Sequence, residues 1–387
     1  MRILVAAQRL GRAGGMERYL EIVLPALVAR GATVHVLARE IDTVPAGVTA
    51  ERIAWAEEHD APAASARNAA QRALEAFAPD VAVAHNVMDA GIVEALRTAP
   101  RLAYHVHDHR PFCPNGDRVF PRSGRNCTLA LGRPCAVHAL TDGCAYGPRR
   151  RTLTLIRRRE QLRDAVAAAD AVIVASRYVA ERAVQSYVRP ERVVEIPLPL
   201  PDDAYASHVV TPSSRAILFA GRIVPQKGLD ALVRAVAHIA RERRPHVRAL
   251  GDGPALDTVR AEAAHIGVTL DAAGAVPPEE VRAAIDDAAL VALPSLWAEP
   301  FGYVGIEAFA RGRTTVAFDV GGVRAWLDDG VNGTAVRAGD ERALGDAIDA
   351  LLIDGAKRTR LAERARSDAE RYRAATIAPT LLSAYRD

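Results

Sequence analysis

Four groups of residues have the types and spacing to do chemistry. The first is Gly221-Arg222-Ile223-Val224-Pro225-Gln226-Lys227-Gly228, directly after the apolar run Ala216-Ile217-Leu218-Phe219-Ala220. Of the 50 Lys plus Arg residues, only Lys227 and Lys357 are lysines. A chain that puts nearly all its positive charge on arginine, yet keeps a compact ammonium at a glycine-flanked turn, has a use for a point charge there, and a phosphate is the natural anion. Arg222 and Lys227 together read as a pair that neutralises a diphosphate and stabilises it as it leaves. The plain alternative is two solvated side chains on a turn. The second group is Glu299 and Glu307 within Pro294-Ser295-Leu296-Trp297-Ala298-Glu299-Pro300-Phe301-Gly302-Tyr303-Val304-Gly305-Ile306-Glu307-Ala308. Glu299 precedes Pro300 and Gly302 and so belongs to a turn, while Glu307 falls about one turn inside the following helix. One carboxylate can reach the sugar end of a ligand and the other its ribose, with the backbone N–H groups of Gly302, Tyr303 and Val304 on the phosphates.

The third group is Tyr104-His105-Val106-His107-Asp108-His109, whose alternating histidines would share one face of an extended segment. His107 reads as a group that orients a ligand's hydroxyls and stabilises positive charge, with Asp108 sharing the work. A histidine packed at a strand end and a metal site are the alternatives. The fourth group is the full cysteine set, Cys113, Cys127, Cys135 and Cys144, confined to one window rich in Gly, Pro and Arg. The spacings lack the close Cys-x2-Cys pairs of zinc ribbons. A structural zinc is the first reading, with His109 or His138 able to replace one sulfur. Buried thiols and disulfides remain as alternatives, the latter disfavoured in a reducing cytosol.

Such groups need a scaffold, and the pattern supplies one. Short β-rich runs alternate with helical spacing throughout, which indicates parallel sheets with crossover helices. Strands are expected at Ile3–Ala7, Thr33–Ala38, Val81–His85, Leu102–His107 and Ala171–Ala175, then at Ala216–Ala220, His246–Leu250, Val268–Ala272, Leu290–Pro294 and Thr314–Phe318. Leu229, Leu232, Val233, Val236 and Ile239 keep helical spacing. Pro197, Pro199, Pro201 and Pro212 interrupt a stretch without periodicity and mark a linker over 197–213. The expectation is α/β: two Rossmann-like doubly wound domains facing across a cleft, with ligands at the carboxyl ends of the strands. The glycine turn Gly11-Arg12-Ala13-Gly14-Gly15-Met16-Glu17 opens the first such helix, although the six-residue dinucleotide fingerprint is absent.

At 387 residues, half of them hydrophobic, the chain can bury two cores. The net charge of +3 is uneven: residues 1–200 hold 27 Arg against 21 Asp plus Glu, or +6, leaving −3 for the rest. The basic excess gathers at Arg149-Arg150-Arg151 and Arg157-Arg158-Arg159 with Arg163, among Leu153, Leu155, Ile156 and Leu162. This stretch is either a solvated helix face or a patch for anionic lipid or an acidic substrate. With 5% aromatics and no nucleic-acid-binding signature, nucleic acid is not an expected partner. The opening apolar run is too short for a secretory signal, and no stretch is long enough to span a membrane. The expected location is cytoplasmic, with any membrane contact peripheral at the inner face.

Together, Gly14-Gly15-Met16-Glu17, Gly221-Arg222 with Lys227-Gly228, Gly251-Asp252-Gly253-Pro254, and Glu299-Pro300-Phe301-Gly302 with Glu307-Ala308 resemble the retaining glycosyltransferases of family 4. The resemblance spans nearly the whole chain and implies the GT-B fold. It divides the chain into an acceptor-binding domain at 1–196 carrying the cysteine loop 113–144, the linker, a nucleotide-sugar domain at 214–367, and a final segment 368–387 whose helix crosses back to the first domain. It implies that Arg222 and Lys227 bind the donor diphosphate, Glu299 the sugar hydroxyls and Glu307 the ribose, with His107 beside the anomeric carbon. Gly15, Gly221, Gly251, Asp252, Phe301, Gly302, Tyr303 and Val304 complete the donor side, and Asn86, Asp108, His109 and Arg110 the acceptor side. Cys113-Pro114-Asn115-Gly116 after His107-Asp108 resembles a branch with a cysteine-bearing insertion, which would shape the acceptor pocket.

The expected activity is therefore transfer of a sugar from a UDP or GDP conjugate to a hydroxyl acceptor, such as a glycan, glycolipid or natural-product aglycone, with retention. No Asp-x-Asp element occurs, so no catalytic divalent metal is expected, Arg222, Lys227 and helix N-termini replacing its charge. A sugar-nucleotide epimerase on the same fold, which needs no acceptor, and a noncatalytic nucleotide-sugar-binding subunit are the alternatives.

Overall fold

The computed structural model describes residues 1–11, 14–55, 64–144, 149–207 and 211–387. The chain forms two compact units, Met1–Pro199 with Ala374–Asp387, and Leu200–Arg373.

The first unit is built on seven strands: β1 (Arg2–Leu10), β2 (Thr33–Ile41), β3 (Val48–Arg52), β4 (Val81–His85), β5 (Leu102–Val106), β6 (Ala171–Val174) and β7 (Val193–Glu195). They pair in parallel in the order β3-β2-β1-β4-β5-β6-β7. Every residue of β4, β5 and β6 is buried, as expected where helices cover both faces of a parallel sheet. The two-residue period divides the apolar side chains between two cores. Leu4, Ala6, Ala82, Ala84, Leu102 and Tyr104 face the helices Ala64–Phe77, Ala90–Leu96 and Arg149–Ala167. Ile3, Val5, Ala7, Val81, Val83 and Ala103 face the helices Gly15–Val28 and Ala374–Arg386. The last helix thus completes a core begun by the first strand. It buries Ile377, Ala378, Leu381, Leu382 and Tyr385, and Arg30 Nη2 donates to Ala375 O at 2.5 Å.

The second unit has six parallel strands, β8 (Ile217–Ala220), β9 (Val247–Leu250), β10 (Leu270–Gly274), β11 (Leu290–Leu293), β12 (Thr315–Phe318) and β13 (Gly333–Val336), in the order β10-β9-β8-β11-β12-β13. The helix at Leu229–Ala237 buries Leu229, Leu232, Val233 and Val236. Ile239 is buried beyond the helix end.

Both sheets reverse their direction of winding once, between β1 and β4 and between β8 and β11. Such seams leave crevices at the carboxyl ends of the flanking strands.

The ten expected strands are all present, some shifted at their ends, and three more appear: β3, β7 and β13. The boundaries between units differ from those expected. The segment following Pro199 belongs to the second unit, where Leu200 N donates to Tyr372 O at 2.6 Å and Tyr205 Oη to Ala369 O at 2.8 Å. Of the expected linker, 208–210 lie outside the described residues. The returning segment begins at Ala374, not 368, because Tyr372 is fully buried in the second unit. The arginine-rich stretch is one helix but not one charged face. Arg159 is 1% exposed, Leu155, Ile156 and Leu162 enter the core, and Arg163 lies over the Tyr187 ring at 4.9 Å. The side chains of Arg149 and Arg150 lie outside the described residues. No described helix is long and apolar enough to cross a membrane.

Candidate functional site

In the second unit the loops after β8 and β11, on either side of the seam, are tied together. Leu296 N and Trp297 N both donate to Gln226 O, at 2.9 and 3.3 Å. This places Lys227 on Glu299, with Nζ donating to Oε1 at 2.5 Å, and Ser295 Oγ donates to the same oxygen at 2.6 Å. Lys227 also lies 5.2 Å from the Trp297 ring centroid. The Glu299 side chain is 6% exposed, against 23% for Lys227. Burial alone would push the Glu299 carboxyl up. The Lys227 charge, reinforced by hydrogen bonds from Lys227, Ser295 and Trp297, outweighs it and holds the group below the usual carboxylate range.

Arg222 is exposed at the tip of the first loop, five residues before Lys227. Ile223 N donates to Asp252 O at 2.8 Å and so brings the β9 loop alongside. Gly251 is the reason the loops can meet: its φ is +136°, and a Cβ there would stand 1.9 Å from Gly221 O. Gly302 caps the helix Tyr303–Ala310 in a left-handed conformation, leaving the N–H groups of Tyr303 and Val304 at its start. Glu307, 7% exposed, lies on this helix. Two assigned donor residues have other work. Phe301 is 1% exposed, its ring edge-on to Tyr372 at 6.0 Å and its carbonyl accepting from Trp326 Nε1 at 2.7 Å, so its side chain belongs to the core. Asp252 turns its Oδ1 onto Gly253 N at 2.7 Å, fixing its own loop.

In the first unit the crevice side carries a cluster of imidazoles. His85 ends β4 in register with His105 on β5, and His107 follows β5 on the same face. His85 Nδ1 lies 3.0 Å from His107 Nε2, so one proton joins these rings. His105 Nε2 meets Tyr385 Oη at 2.8 Å, and its Nδ1 faces Tyr19 Oη at 3.5 Å. The Tyr19 ring stands edge-on to His107 at 4.9 Å. Burial drives all three imidazoles towards the neutral form: His85 and His105 fall well below their ordinary value, and His107 falls to about 4. These rings bring one nitrogen each to within 4.8 Å of one another. Four of the six ring nitrogens already face one another or two tyrosine hydroxyls, so the cluster fits a neutral polar network better than a metal site.

Asn86 accepts the His107 N–H on its Oδ1 at 3.0 Å from a backbone of φ +48°, so it positions the histidine rather than presenting itself. Its buried Nδ2 has no partner among the described residues. Asp108 takes Arg110 N and Nε at 2.9 and 2.8 Å. His109 is a correction. The strand ends at Val106 and the chain bends, so His109 leaves the histidine face, is 1% exposed, and packs edge-on to Tyr178 at 5.8 Å. Its place on that face is taken by His85, which no spacing along the chain reveals, because only the β4/β5 pairing brings it there. Tyr385 was equally hidden, 280 residues from its partner. Gly15 opens the helix after β1, while Arg12 and Ala13 of that turn lie outside the described residues.

The cysteines, all free, converge. Cys113, Cys127, Cys135 and Cys144 line one cavity of about 30 Å³ with Arg118 and His138. His109 does not line it.

Comparison with known proteins accords with this arrangement. A model of glycosyltransferase family 4 matches residues 13–204, and one of glycosyl transferases group 1 matches residues 206–368. A D-inositol 3-phosphate glycosyltransferase of Xylanimonas cellulosilytica is 36% identical over 241 residues, 57% of this chain and 57% of that protein. The chain spans about half the length of the curated relatives it matches. Among solved structures, Anabaena HepE in complex with UDP has a TM-score of 0.73 at 20% identity, covering 99% of each chain. Sucrose-phosphate synthase of Thermosynechococcus elongatus also reaches 0.73 at 20% identity, covering 100% of this chain and 98% of that one. At such identity these structures establish a shared fold.

Proposed function

The chain belongs to glycosyltransferase family 4, and from that premise we propose that it moves a sugar from a nucleoside diphosphate sugar to an acceptor hydroxyl, with retention at the anomeric carbon. The observation that carries this is the contact of Lys227 with buried Glu299 across the β8/β11 seam. An incoming diphosphate competes for the Lys227 ammonium. Glu299 keeps a share of that ammonium and offers its other oxygen to sugar hydroxyls, so the buried carboxylate is not left without a cation. Arg222 and the N–H groups of Tyr303 and Val304 add positive potential for the phosphates, and Glu307 takes the ribose. As the bond from the anomeric carbon to phosphate oxygen breaks, charge collects on the diphosphate beside Lys227 and Arg222. The acceptor oxygen bonds to the same face of that carbon, and its proton passes to the departing phosphate oxygen. Such a step calls for no strong base on the protein and needs no catalytic metal. A neutral His107 suits it, as a hydrogen-bonding group that orients hydroxyls. The uridine nucleotide is the donor base we favour, since HepE is a protein of the same fold in complex with UDP.

The test is a thermal-shift series with UDP, GDP, ADP and TDP, followed by transfer assays with the sugar conjugates of the base that binds. A ligand at 100 times its Kd adds about 2.7 kcal/mol to the native state. The expected result is a shift with UDP that is lost in Lys227→Ala, and a product whose anomeric configuration, read by NMR coupling constants, matches the donor's. An inverted product, or donor turnover that needs no acceptor, would overturn the reading, the latter in favour of an epimerase.

A further inference from the structure

The cysteine window contains a helix that its own packing does not hold. The helix Arg133–Thr141 has no buried residue, and Val137 and Leu140 are each 58% exposed. Nine residues of helix are too few to stand alone in water, so something other than an apolar face must fix them. The short turns around them share one property: each delivers a cysteine to the same cavity. Cys113 follows the helical turn Arg110–Phe112. Cys127 closes a small antiparallel loop, its N–H on Arg118 O at 2.5 Å and Phe120 N on Arg125 O at 2.9 Å. Cys135 sits in the first turn of the exposed helix, and Cys144 follows its end, tied by its N–H to His138 O at 3.3 Å.

Arg118 lines this cavity and is an independent pointer to what fills it. It is 1% exposed, its backbone is held at φ +50°, and its guanidinium reaches only neutral acceptors: Cys127 O, Leu129 O and Gln185 Oε1, at 3.2, 2.8 and 3.4 Å. Its Nη1 has no hydrogen-bond partner, and no carboxylate pairs with it among the described residues. A buried cation without an anion, in a backbone conformation that a bulky residue avoids, is costly unless a negative charge belongs beside it. Four thiolates around a divalent ion carry a net charge of −2, and among the described residues no other source of anionic charge lines this cavity.

We infer that Cys113, Cys127, Cys135 and Cys144 bind a structural Zn²⁺, with Arg118 as the buried counter-cation to the tetrathiolate. Binding converts four S–H groups into four Zn–S bonds and releases four protons, with no change of oxidation state. A cavity of about 30 Å³ admits an atom-sized guest. Among the described residues only His85, His105 and His107 bring three ligand atoms within 4.8 Å, so the sulfurs draw inward to reach the Zn–S distance of about 2.3 Å. The ion would then staple the window six residues after His107, fixing the loop that follows β5. His138, whose Nδ1 bonds Asp142 Oδ2 at 2.7 Å, packs beside the cluster without replacing a sulfur.

The test is metal analysis of untagged full-length protein, with X-ray absorption at the zinc edge. About one zinc per chain and a shell of four sulfurs at ~2.3 Å are expected. Cys135→Ser and Cys144→Ser should each lower zinc retention on dialysis at least ~10-fold, and Arg118→Gln should weaken it with all four sulfurs intact. These variants need not fold for the wild-type analysis to decide. Less than a tenth of an equivalent of zinc with four titratable thiols, a mass deficit from disulfides, or an iron–sulfur chromophore would each overturn the inference. So would a nitrogen in the first shell at ~2.0 Å, which would put His138 in place of a sulfur.

Discussion

Replacing Lys227 by methionine keeps the aliphatic stem near Trp297 but removes the charge that lets Glu299 stay ionised at 6% exposure. The Ser295 bond at 2.6 Å survives and does not compensate for a full charge. Breaking one side of a buried pair costs about 3–5 kcal/mol. Lys227 is itself 23% exposed and partly screened, so we expect the lower end, about 3 kcal/mol at neutral pH. The pH dependence identifies the cause. In the parent protein Glu299 is held below its ordinary value, so its contribution is complete above the unfolded-state value of about 4.3 and is lost as pH falls through the folded value. In Lys227→Met burial dominates and the folded value rises above the unfolded one. The penalty is then largest at neutral pH and relaxes as acid protonates the carboxyl. Urea unfolding of the second unit at pH 8 and pH 5, with Lys227→Met/Glu299→Gln as the neutral control, reads this directly. The loss should shrink at pH 5, and the control should recover most of it at pH 8. Equal losses at both pH values, or a control no better than the single variant, would refute this account of the pair.

The imidazole cluster should stay neutral through physiological pH. Its unfolded counterparts take up protons near pH 6.5 while the fold resists until about pH 4 at His107, so stability should rise with pH across that window. An NMR titration placing the His107 midpoint at 6.5 or above would contradict this. Gly251→Ala should cost more than about 2 kcal/mol, since its Cβ would meet the Gly221 carbonyl at 1.9 Å, whereas Gly274→Ala, at φ +80° with open space, should cost only about 1 kcal/mol. Similar melting temperatures for the two variants would show that the loop contact does not matter.

Much of the second unit's site was legible because its residues lie in contiguous motifs. Lys227 and Glu299 each sit in a loop directly after a strand, and strand order alone decides that those loops meet. Strands rich in Val, Ile and Leu announced themselves by composition. The three unforeseen strands are the short or partly exposed Val48–Arg52, Val193–Glu195 and Gly333–Val336, which lack a long apolar run. The first unit's site was legible only in part. The period-two reading of His105 and His107 holds while the chain is a strand and fails at His109, where the chain bends. His85 and Tyr385 enter through pairing and packing over long sequence distances, which no local spacing encodes. Phe301 shows the opposite case: it lies inside the motif, and its bulk packs in the core.

The two sites differ in kind, and the difference follows from what each must hold. In the second unit a charged pair is poised at a seam, with an exposed arginine and a helix N-terminus nearby, which suits a ligand bringing its own negative charge. In the first unit the polar groups are neutral, aromatic or imidazole, and satisfied largely by one another, which suits hydroxyls that bring none. The neutral site depends on the end of the chain. Tyr385 Oη engages His105 Nε2, and His105 stacks on His85 at 4.3 Å, which in turn bonds His107. The last helix is therefore both a wall of the core and a support for the histidine at the site. Tyr385→Phe leaves that wall in place and deletes one hydrogen bond, which should cost about 1 kcal/mol of stability. If the support matters, transfer should fall by more than donor binding does, because the proposed donor contacts lie in the second unit. Unchanged transfer would mean that Tyr385 serves packing alone.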